Sequence, residues 1–528
     1  MLRGLMMDRP LLVSSIIDYA AEIRSDTEVV SSRVEGDVHR YTYAESHKRI
    51  AQLANWLLDY GIKPGDRVAT LAWNGYRHFE LYYAIAGIGA VCHTINPRLF
   101  PEQLVYIVNH AEDRLLFLDT TFAPLIEKHA DRMPKGMRTV LMTDRAHMPE
   151  TGLADPLCYE DLLAGQPDHI VWPEFDENTA CGLCYTSGTT GNPKGVLYSN
   201  RSTLLHTLGM LVVADGIGLR PGQSVLPVVP LFHVNAWGLP YAMPLVGTKP
   251  VFPGPKLDGA SLFTLMDNEK VTAAWGVPTV WLTGGSAAPG PLIRELETEY
   301  GLNVVHGWGM TEMSPVGTLT VLDQGMKKQP AEKRLAMKNS QGRRLFGCDI
   351  KIVDDDGNRL PHDGVAFGEL LVRGAAIMSA YFHDEAASAA SHDAEGWMRT
   401  GDVARIDPDG FLYIVDRTKD VIKSGGEWIS SIDLENAAIG HPAVAECAVI
   451  AAAHPKWAER PLLIAVLKEG QTATADDIRD FLSDKVAKWW LPDDVLFVDE
   501  LPHTATGKLS KLQLRERFKD HVLPTAAK

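Results

Sequence analysis

With 528 residues, 45% of them apolar, the chain exceeds what one hydrophobic core usually serves, so two or more domains are expected. Its formal charge of −16 argues against a general nucleic-acid or anionic-membrane surface, so any anion site must be built locally. Six cysteines are too few for a disulfide scaffold, and MLRGLMMDRPLLVSSIIDYA at the start lacks the sustained apolar core of a secretory signal, so a cytoplasmic protein is expected.

From Arg67 the pattern alternates. RVATLAW reads as a strand, YRHFELYYAIAGIGA as a helix, AVCHTINP as a strand and PEQLVYIVNHA as a helix; RLLFLD and Thr139–Asp144 are extended. Such βαβ alternation implies a parallel sheet covered by helices. A second α/β block is read from near Glu177 to Pro315. Cys181-Gly-Leu-Cys184 opens it in an apolar run, where buried strand cysteines are a simpler reading than zinc or redox chemistry. The apolar stretch Val225–Gly247 contains His233, Asn235 and several prolines, which suits a pocket wall and not a membrane span.

The joint from Val277 to Pro289 runs a proline turn directly into Gly284-Gly285, where a helix and strand of roughly twenty residues normally fit. Either this protein is trimmed there or a segment is missing from the sequence. From about Gly342 short strands and turns take over: DIKIVDDDGNRL, GELLVRG, and ARIDPDGFLYIVDR with Asp409-Gly410 at its turn. A compact α/β tail follows Arg417, with Thr474 placed to cap a helix DDIRDFLSDKVAKWW. The expected architecture is therefore α/β: residues 1–416 hold two parallel-sheet subdomains and a small β-barrel-like subdomain, and residues 417–528 a small mobile α+β domain.

The loop YTSGTTGNPKG, Tyr185–Gly195, gathers hydroxyls, glycines and one lysine after a strand. Glycines let backbone N–H groups approach an anion, so phosphate is the natural ligand. It is not a Walker A loop, because the spacing is G-x-x-G-x-x-K-G with no Ser or Thr after Lys194. Four further motifs follow in order: GWGMTE at Gly307–Glu312, RTGD at Arg399–Asp402, DRTKDVIKSGGEWI from Asp416, and TGK at Thr506–Lys508. Together the five resemble the adenylate-forming superfamily of acyl-CoA synthetases, peptide-synthetase adenylation domains and luciferases, over essentially the whole chain. AVCHTINPRL, PLFHVNAWGLPY and AKWWLPDD resemble its branch of medium-chain fatty-acyl and 3-methylmercaptopropionyl ligases.

The resemblance implies an ATP-dependent ligation: a carboxylate attacks the α-phosphate to give acyl-AMP and pyrophosphate, then coenzyme A gives acyl-CoA and AMP. It implies that Thr186, Ser187, Gly188, Thr189, Thr190, Gly191 and Lys194 follow the distal phosphates. Thr186 and Glu312 would hold Mg²⁺, which needs few carboxylates when phosphate oxygens complete its shell. Thr311 would donate to the α-phosphate beside Met310, and Trp308, between Gly307 and Gly309, would face adenine, where Tyr is commoner. Gly285, Ser286, Ala287 and Ala288 would line the other face of the base. Asp402 and Arg417 would take the ribose, and Lys419 would be the hinge of the tail. Lys508 would bridge carboxylate and α-phosphate in the transition state. Lys423, Ser424, Gly425, Gly426 and Trp428 would serve coenzyme A, the glycines leaving room for its pantetheine arm.

The acyl pocket implied by the family falls on His233, Val234, Asn235, Trp237, Trp275 and Gly309, with His233 at its entrance. No acidic residue lies between Val225 and Leu257 to pair with a substrate ammonium, which disfavours amino acids. Trp237 and Trp275 are large enough to limit depth, favouring short or medium acyl or thioether acids. An adenylation enzyme passing its acyl group to a carrier protein is the alternative, and a nonenzymatic nucleotide sensor would not need both Lys508 and KSGG. Partners are then a small carboxylic acid, ATP and coenzyme A, with no nucleic acid and no integral membrane association; a homodimer is compatible with the resemblance.

Overall fold

The run from Arg67 folds as alternating strand and helix because short apolar stretches are closed by Gly, Asn or Pro, which punctuate the backbone. The computed structural model describes residues 2, 4–186, 192–276, 290–425, 427–503 and 509–526. Among these, the strands form four sheets. The first runs in spatial order Leu157–Cys158, Arg138–Leu141, Leu115–Leu118, Arg67–Leu71, Val91–Thr94, Ala180–Tyr185 and Gly195–Ser199. Its neighbours are parallel except the last pair, in which the strand entering the hydroxyl-rich loop lies antiparallel to the strand leaving it.

The second sheet is ordered Ala273–Trp275, Ser224–Pro227, Lys249–Phe252, Glu28–Ser32 and Val38–Thr42. One expectation needs correction here. The block read from Glu177 is not a separate unit, since Ala180–Tyr185 pairs with Val91–Thr94 through Cys92 and Gly182 and completes the first sheet. The second sheet instead recruits two strands from the N-terminus, through Val30 against Val251. Pairing of that kind is set by which sheet edge is available in space, not by nearness in the chain.

Helix Tyr76–Gly87 is buried along all of its 12 residues. Its sequence is accordingly not amphipathic in the usual way, and its charged residues are compensated by partners: Arg49 pairs with Glu80 at 2.7 Å and Arg77 with Glu160 at 2.8 Å. Just before it, the Asn74 amide donates to the carbonyls of Pro227 and Val229 and accepts from the Leu231 N–H, tying the loop after the central strand of the first sheet to the second.

The third sheet is antiparallel and ordered Gly307–Gly309, Val316–Leu319, Gly342–Arg344, Phe411–Arg417, Met398–Ile406, Phe367–Gly374 and Cys348–Val353. Among the described residues no pairing joins its two end strands, Gly307–Gly309 and Cys348–Val353. Gly410 takes φ 84° at the Asp409-Gly410 turn, where the left-handed region favours glycine. The fourth sheet carries the long hairpin Val444–His454 and Ala458–Leu467, with Asp494–Phe497 parallel beside it and the short hairpin Ile422–Ser424 and Glu427–Ile429 at one end. Thr474 does cap the tail helix, in a capping box with Asp477, but the helix ends at Ser483. The chain is already extended at Ala487, and Lys488–Trp490 form a separate 3-10 turn that seats Trp490 against the tail core. Among the described residues no helix is long and apolar enough to cross a membrane.

Candidate functional site

The first three sheets and the tail face one cavity of about 950 Å³. Its polar wall begins where the loop strands separate. The Thr186 N–H donates to the Lys194 carbonyl at 2.9 Å and the Lys194 N–H to the Thr186 hydroxyl at 3.1 Å, so the two ends of the hydroxyl-rich loop are locked together. Ser187, Gly188, Thr189, Thr190 and Gly191 lie outside the described residues. The Lys194 ammonium sits 4.9 Å over the ring of Tyr381, a cation–π contact. Next to it, the Phe382 N–H donates to the Gly195 carbonyl at 2.8 Å.

Tyr381 links that lysine to the acidic motif. Its hydroxyl donates to Glu312 Oε1 at 2.7 Å, and Glu312 is only 7% exposed. Burial raises the carboxyl above its usual range, while the Tyr381 hydrogen bond and the charges of Arg417 and Lys194 pull the other way. The turn Thr311–Met313 is held from three sides: Tyr198 O–H donates to the Thr311 carbonyl at 2.6 Å, Met378 N–H to the Glu312 carbonyl at 2.9 Å, and Ser314 hydroxyl to the Ala376 carbonyl at 2.8 Å. Gly309 is required beside it, because a Cβ there would stand 2.0 Å from the Pro315 carbonyl oxygen. Tyr381 and Tyr198 hold this turn and carry no sequence signal of their own.

At the next corner Asp402 is buried. It accepts from the Trp308 indole N–H at 2.9 Å on one oxygen and from Arg417 Nε at 2.9 Å on the other. Trp308, Asp402 and Arg417 are therefore one constellation, assembled from three strands of the third sheet. Arg417 and Trp308 line the cavity together with Gly307, Met310, Thr311 and Glu312. Gly285, Ser286, Ala287 and Ala288 lie outside the described residues, as does the whole Val277–Pro289 joint.

The far wall is apolar and carries His233, Val234, Trp237 and Trp275, the two indoles meeting edge to face with ring centroids 6.3 Å apart. The backbone here is unusual. Val234, Asn235, Ala236 and Trp237 take φ of 44°, 56°, 44° and 57°, and Gly238 follows at 84°. Four successive non-glycine residues in the left-handed region cost roughly 4–8 kcal/mol relative to the right-handed form. Surrounding structure must supply that. Asn235 faces away from the cavity, which corrects its reading as a pocket residue: its Oδ1 accepts from the Tyr82 hydroxyl at 3.2 Å and from the Cys184 thiol at 3.5 Å. Cys184 and Thr94 share a hydrogen bond at 3.2 Å, and burial pushes the thiol up to about 11. Cys181 and Cys184 are buried strand cysteines, and among the described residues no three His, Cys, Asp or Glu side chains gather as a metal cage.

Past the turn, Gly238 packs on His206, whose Nε2 accepts the Val316 N–H at 3.0 Å. Burial drives His206 down to about 4, so its ring is the neutral acceptor this bond needs. The apolar wall is thus mechanically joined to the strand that follows Glu312.

The tail contributes Leu509, Ser510 and Lys511 to the cavity. Lys508 lies outside the described residues, but its flanks are fixed, with the Ser510 N–H donating to the Pro502 carbonyl at 2.8 Å and Lys511 paired with Glu435 at 2.7 Å. Lys419 also lines the cavity, and burial lowers its ammonium below the usual lysine range. Lys423, Ser424, Gly425 and Trp428 are elsewhere. Lys423 lies 5.1 Å over the Trp428 ring, Trp428 meets Phe367 at 5.7 Å, and Ser424 accepts from Arg460 at 3.3 Å. Gly425 has φ 61° and a Cβ there would fall 2.7 Å from the Trp457 ring, so glycine is demanded. Gly426 lies outside the described residues.

The profile of the AMP-binding enzyme family matches residues 17–283 and 280–382, and that of the AMP-binding enzyme C-terminal domain matches 433–508. The two stretches of the first match meet inside the short Val277–Pro289 joint. The chain is 48% identical over 537 positions to the 3-methylmercaptopropionyl-CoA ligase of Ruegeria lacuscaerulensis, covering 98% of this chain and 99% of that one. It is 47% identical to the medium-chain-fatty-acid–CoA ligase of Ectopseudomonas oleovorans, covering 99% of each. A solved structure of an anthranilate CoA ligase in complex with anthranoyl-AMP superposes with a TM-score of 0.83 at 25% identity, covering 97% of this chain and 98% of that one. Family profiles over most of the chain, near-complete relatives and a matching fold agree with one another, and the chain belongs to the AMP-binding enzyme family, as an AMP-forming acid–CoA ligase.

Proposed function

We propose that the protein activates a short- or medium-chain carboxylic acid, with 3-methylmercaptopropionate among its candidate substrates, and that the residues around the cavity divide the work as follows. The observation that carries this is the two-ended cavity: Lys194, Thr311, Glu312 and Arg417 at one end, Val234, Trp237 and Trp275 at the other. A triphosphate and ribose suit the first end, and an apolar acyl chain suits the second. The substrate carboxylate then lies between them, within reach of the α-phosphate.

In the first step a carboxylate oxygen attacks the α-phosphorus, the bond to the bridging oxygen breaks, and pyrophosphate leaves. Lys194 and the loop after Thr186 steady the departing phosphates, Thr311 donates to the α-phosphate, and Lys508 bridges the attacking carboxylate and that phosphate, where charge builds most. Asp402 and Arg417 hold the ribose, with Trp308 fixed against Asp402 and presented to the base. The donor set also fits Mg²⁺: a buried carboxylate and the Thr186 hydroxyl on one cavity are hard oxygen ligands of the kind that leave positions for phosphate oxygens. When bound, the ion would neutralise phosphate charge.

In the second step the coenzyme A thiol attacks the acyl carbon, AMP leaves, and the thiol proton is released. We assign this step to Lys423, Ser424, Gly425, Gly426 and Trp428, with residues 417–528 turning about Lys419 relative to residues 1–416. That Leu509–Lys511 border the cavity while the Lys423–Gly425 hairpin does not supports a structure poised for the first step. A cytoplasmic location and a homodimer belong to the same proposal.

The test is a panel of C2 to C12 acids, methylthiopropionate and benzoate with ATP, Mg²⁺ and coenzyme A, following AMP and thioester together. Equal yields of both, greatest for C3 to C8 or the thioether acid, are expected. AMP without thioester would point to a carrier protein as the acceptor, and a preference for benzoate or C12 would overturn the substrate class.

A further inference from the structure

The left-handed turn at Val234–Trp237 has one internal backbone bond, from the Ala236 N–H to the His233 carbonyl at 3.2 Å, and part of what holds it against its intrinsic preference comes from the buried central helix. Tyr82 and Tyr83 are adjacent on that helix and both fully enclosed. The Tyr82 hydroxyl donates to the Leu231 carbonyl at 2.5 Å and leans toward Asn235 Oδ1 at 3.2 Å, while the Tyr83 hydroxyl donates to the Pro240 carbonyl at 2.7 Å. The two bonds grip the chain before and after the turn, and the Asn235 contact engages the turn itself. Neither tyrosine borders the cavity.

We infer that Tyr82 and Tyr83 are positioning residues for substrate selection: by clamping Leu231 and Pro240 they keep the left-handed turn that presents Trp237 to the cavity, and so set how long an acid the enzyme accepts. This rests on the proposed reading of the Val234–Trp237 wall as the acyl pocket. The physical case is that a backbone held against its intrinsic preference relaxes when a restraint is lost. A turn allowed to return to the right-handed region re-aims every side chain on it, and Trp237 is the largest of those facing the cavity. A hydroxyl removed from behind the wall then acts on chain length without touching the phosphate end.

Tyr82→Phe and Tyr83→Phe each delete one donor and keep the ring. The measurement is kcat/KM for butyrate, hexanoate, octanoate and decanoate, with KM for ATP determined in parallel and Trp237→Ala as the reference variant. Tyr82→Phe is expected to raise the decanoate-to-butyrate ratio about tenfold, equivalent to about 1.4 kcal/mol, with KM for ATP unchanged. A purely structural role would lower all four acids by one factor, and that result, or an unchanged profile, overturns the inference. If Trp237→Ala also leaves the ratio unmoved, the acyl-pocket assignment fails instead. Should Tyr82→Phe not fold, Tyr83→Phe carries the same expectation and the same refutation.

Discussion

Tyr381 gives a direct test of the proposed phosphate end of the cavity. Its hydroxyl gives Glu312 Oε1 a 2.7 Å hydrogen bond in a place where Glu312 is 7% exposed, so water cannot readily replace it. Tyr381→Phe removes that donor and keeps the ring on which Lys194 rests. A hydrogen bond to an ionised group contributes about 1.5–3 kcal/mol, and if all of it bears on Glu312 in the transition state the loss is roughly 10- to 100-fold in kcat/KM. The assay is initial-rate AMP formation at saturating acid and coenzyme A with ATP and Mg²⁺ varied, beside a thermal melt. The fall should appear in kcat/KM for ATP while the melting midpoint moves by only about 2–4 °C. Activity within about twofold of the parent, a difference of roughly 0.4 kcal/mol, would show that Glu312 is held well enough by its backbone and would refute the reasoning.

Lys508→Ala should lose roughly 10² to 10³ in the rate of pyrophosphate release, the scale of one preorganised donor, and unchanged release would remove Lys508 from the first step. Gly309→Ala puts a Cβ 2.0 Å from the Pro315 carbonyl, which itself accepts the Met310 N–H, so neither atom can yield cheaply. A urea titration should show about 1–3 kcal/mol of lost stability together with a raised KM for ATP. Gly425→Leu, whose Cβ would fall 2.7 Å from the Trp457 ring, should slow thioester formation from supplied acyl adenylate more than it slows pyrophosphate release, measured as separate half-reactions. His206 is neutral when folded because burial takes it from 6.5 to about 4, so unfolding takes up a proton between those values and stability falls as pH drops through that window. His206→Gln, which keeps an acceptor for the Val316 N–H, should reduce the slope of unfolding free energy against pH there by up to about 1.4 kcal/mol per pH unit; an unchanged slope would mean His206 is protonated in the native state.

Much of this protein was legible in its letters because its chemistry is written in contiguous motifs. The loop at Tyr185–Gly195 gathers glycines, hydroxyls and a lysine, from which a phosphate ligand is expected by residue type, while the roles expected of GWGMTE, RTGD and KSGGEW came from their resemblance to a family and not from residue type alone. Alternation from Arg67 likewise marked strands and helices, since side-chain period is a local property. What could not be read is whatever depends on contact between distant segments. Tyr381 meets Glu312 from 69 positions away and Trp308 meets Asp402 from 94, pairings that no spacing announces. The second sheet takes strands from both sides of the first, so its membership was decided by which edge lay open. Asn235, read as a pocket residue from its motif, turns inward on a left-handed backbone at Val234–Trp237, a state that local preference opposes, and there it meets Tyr82 and Cys184 from distant segments. Local chemistry and periodicity were thus determined by the sequence alone, while side-chain direction, sheet membership and the joining of the cavity's two ends were decided by long-range contacts that exist only once the chain has closed on itself.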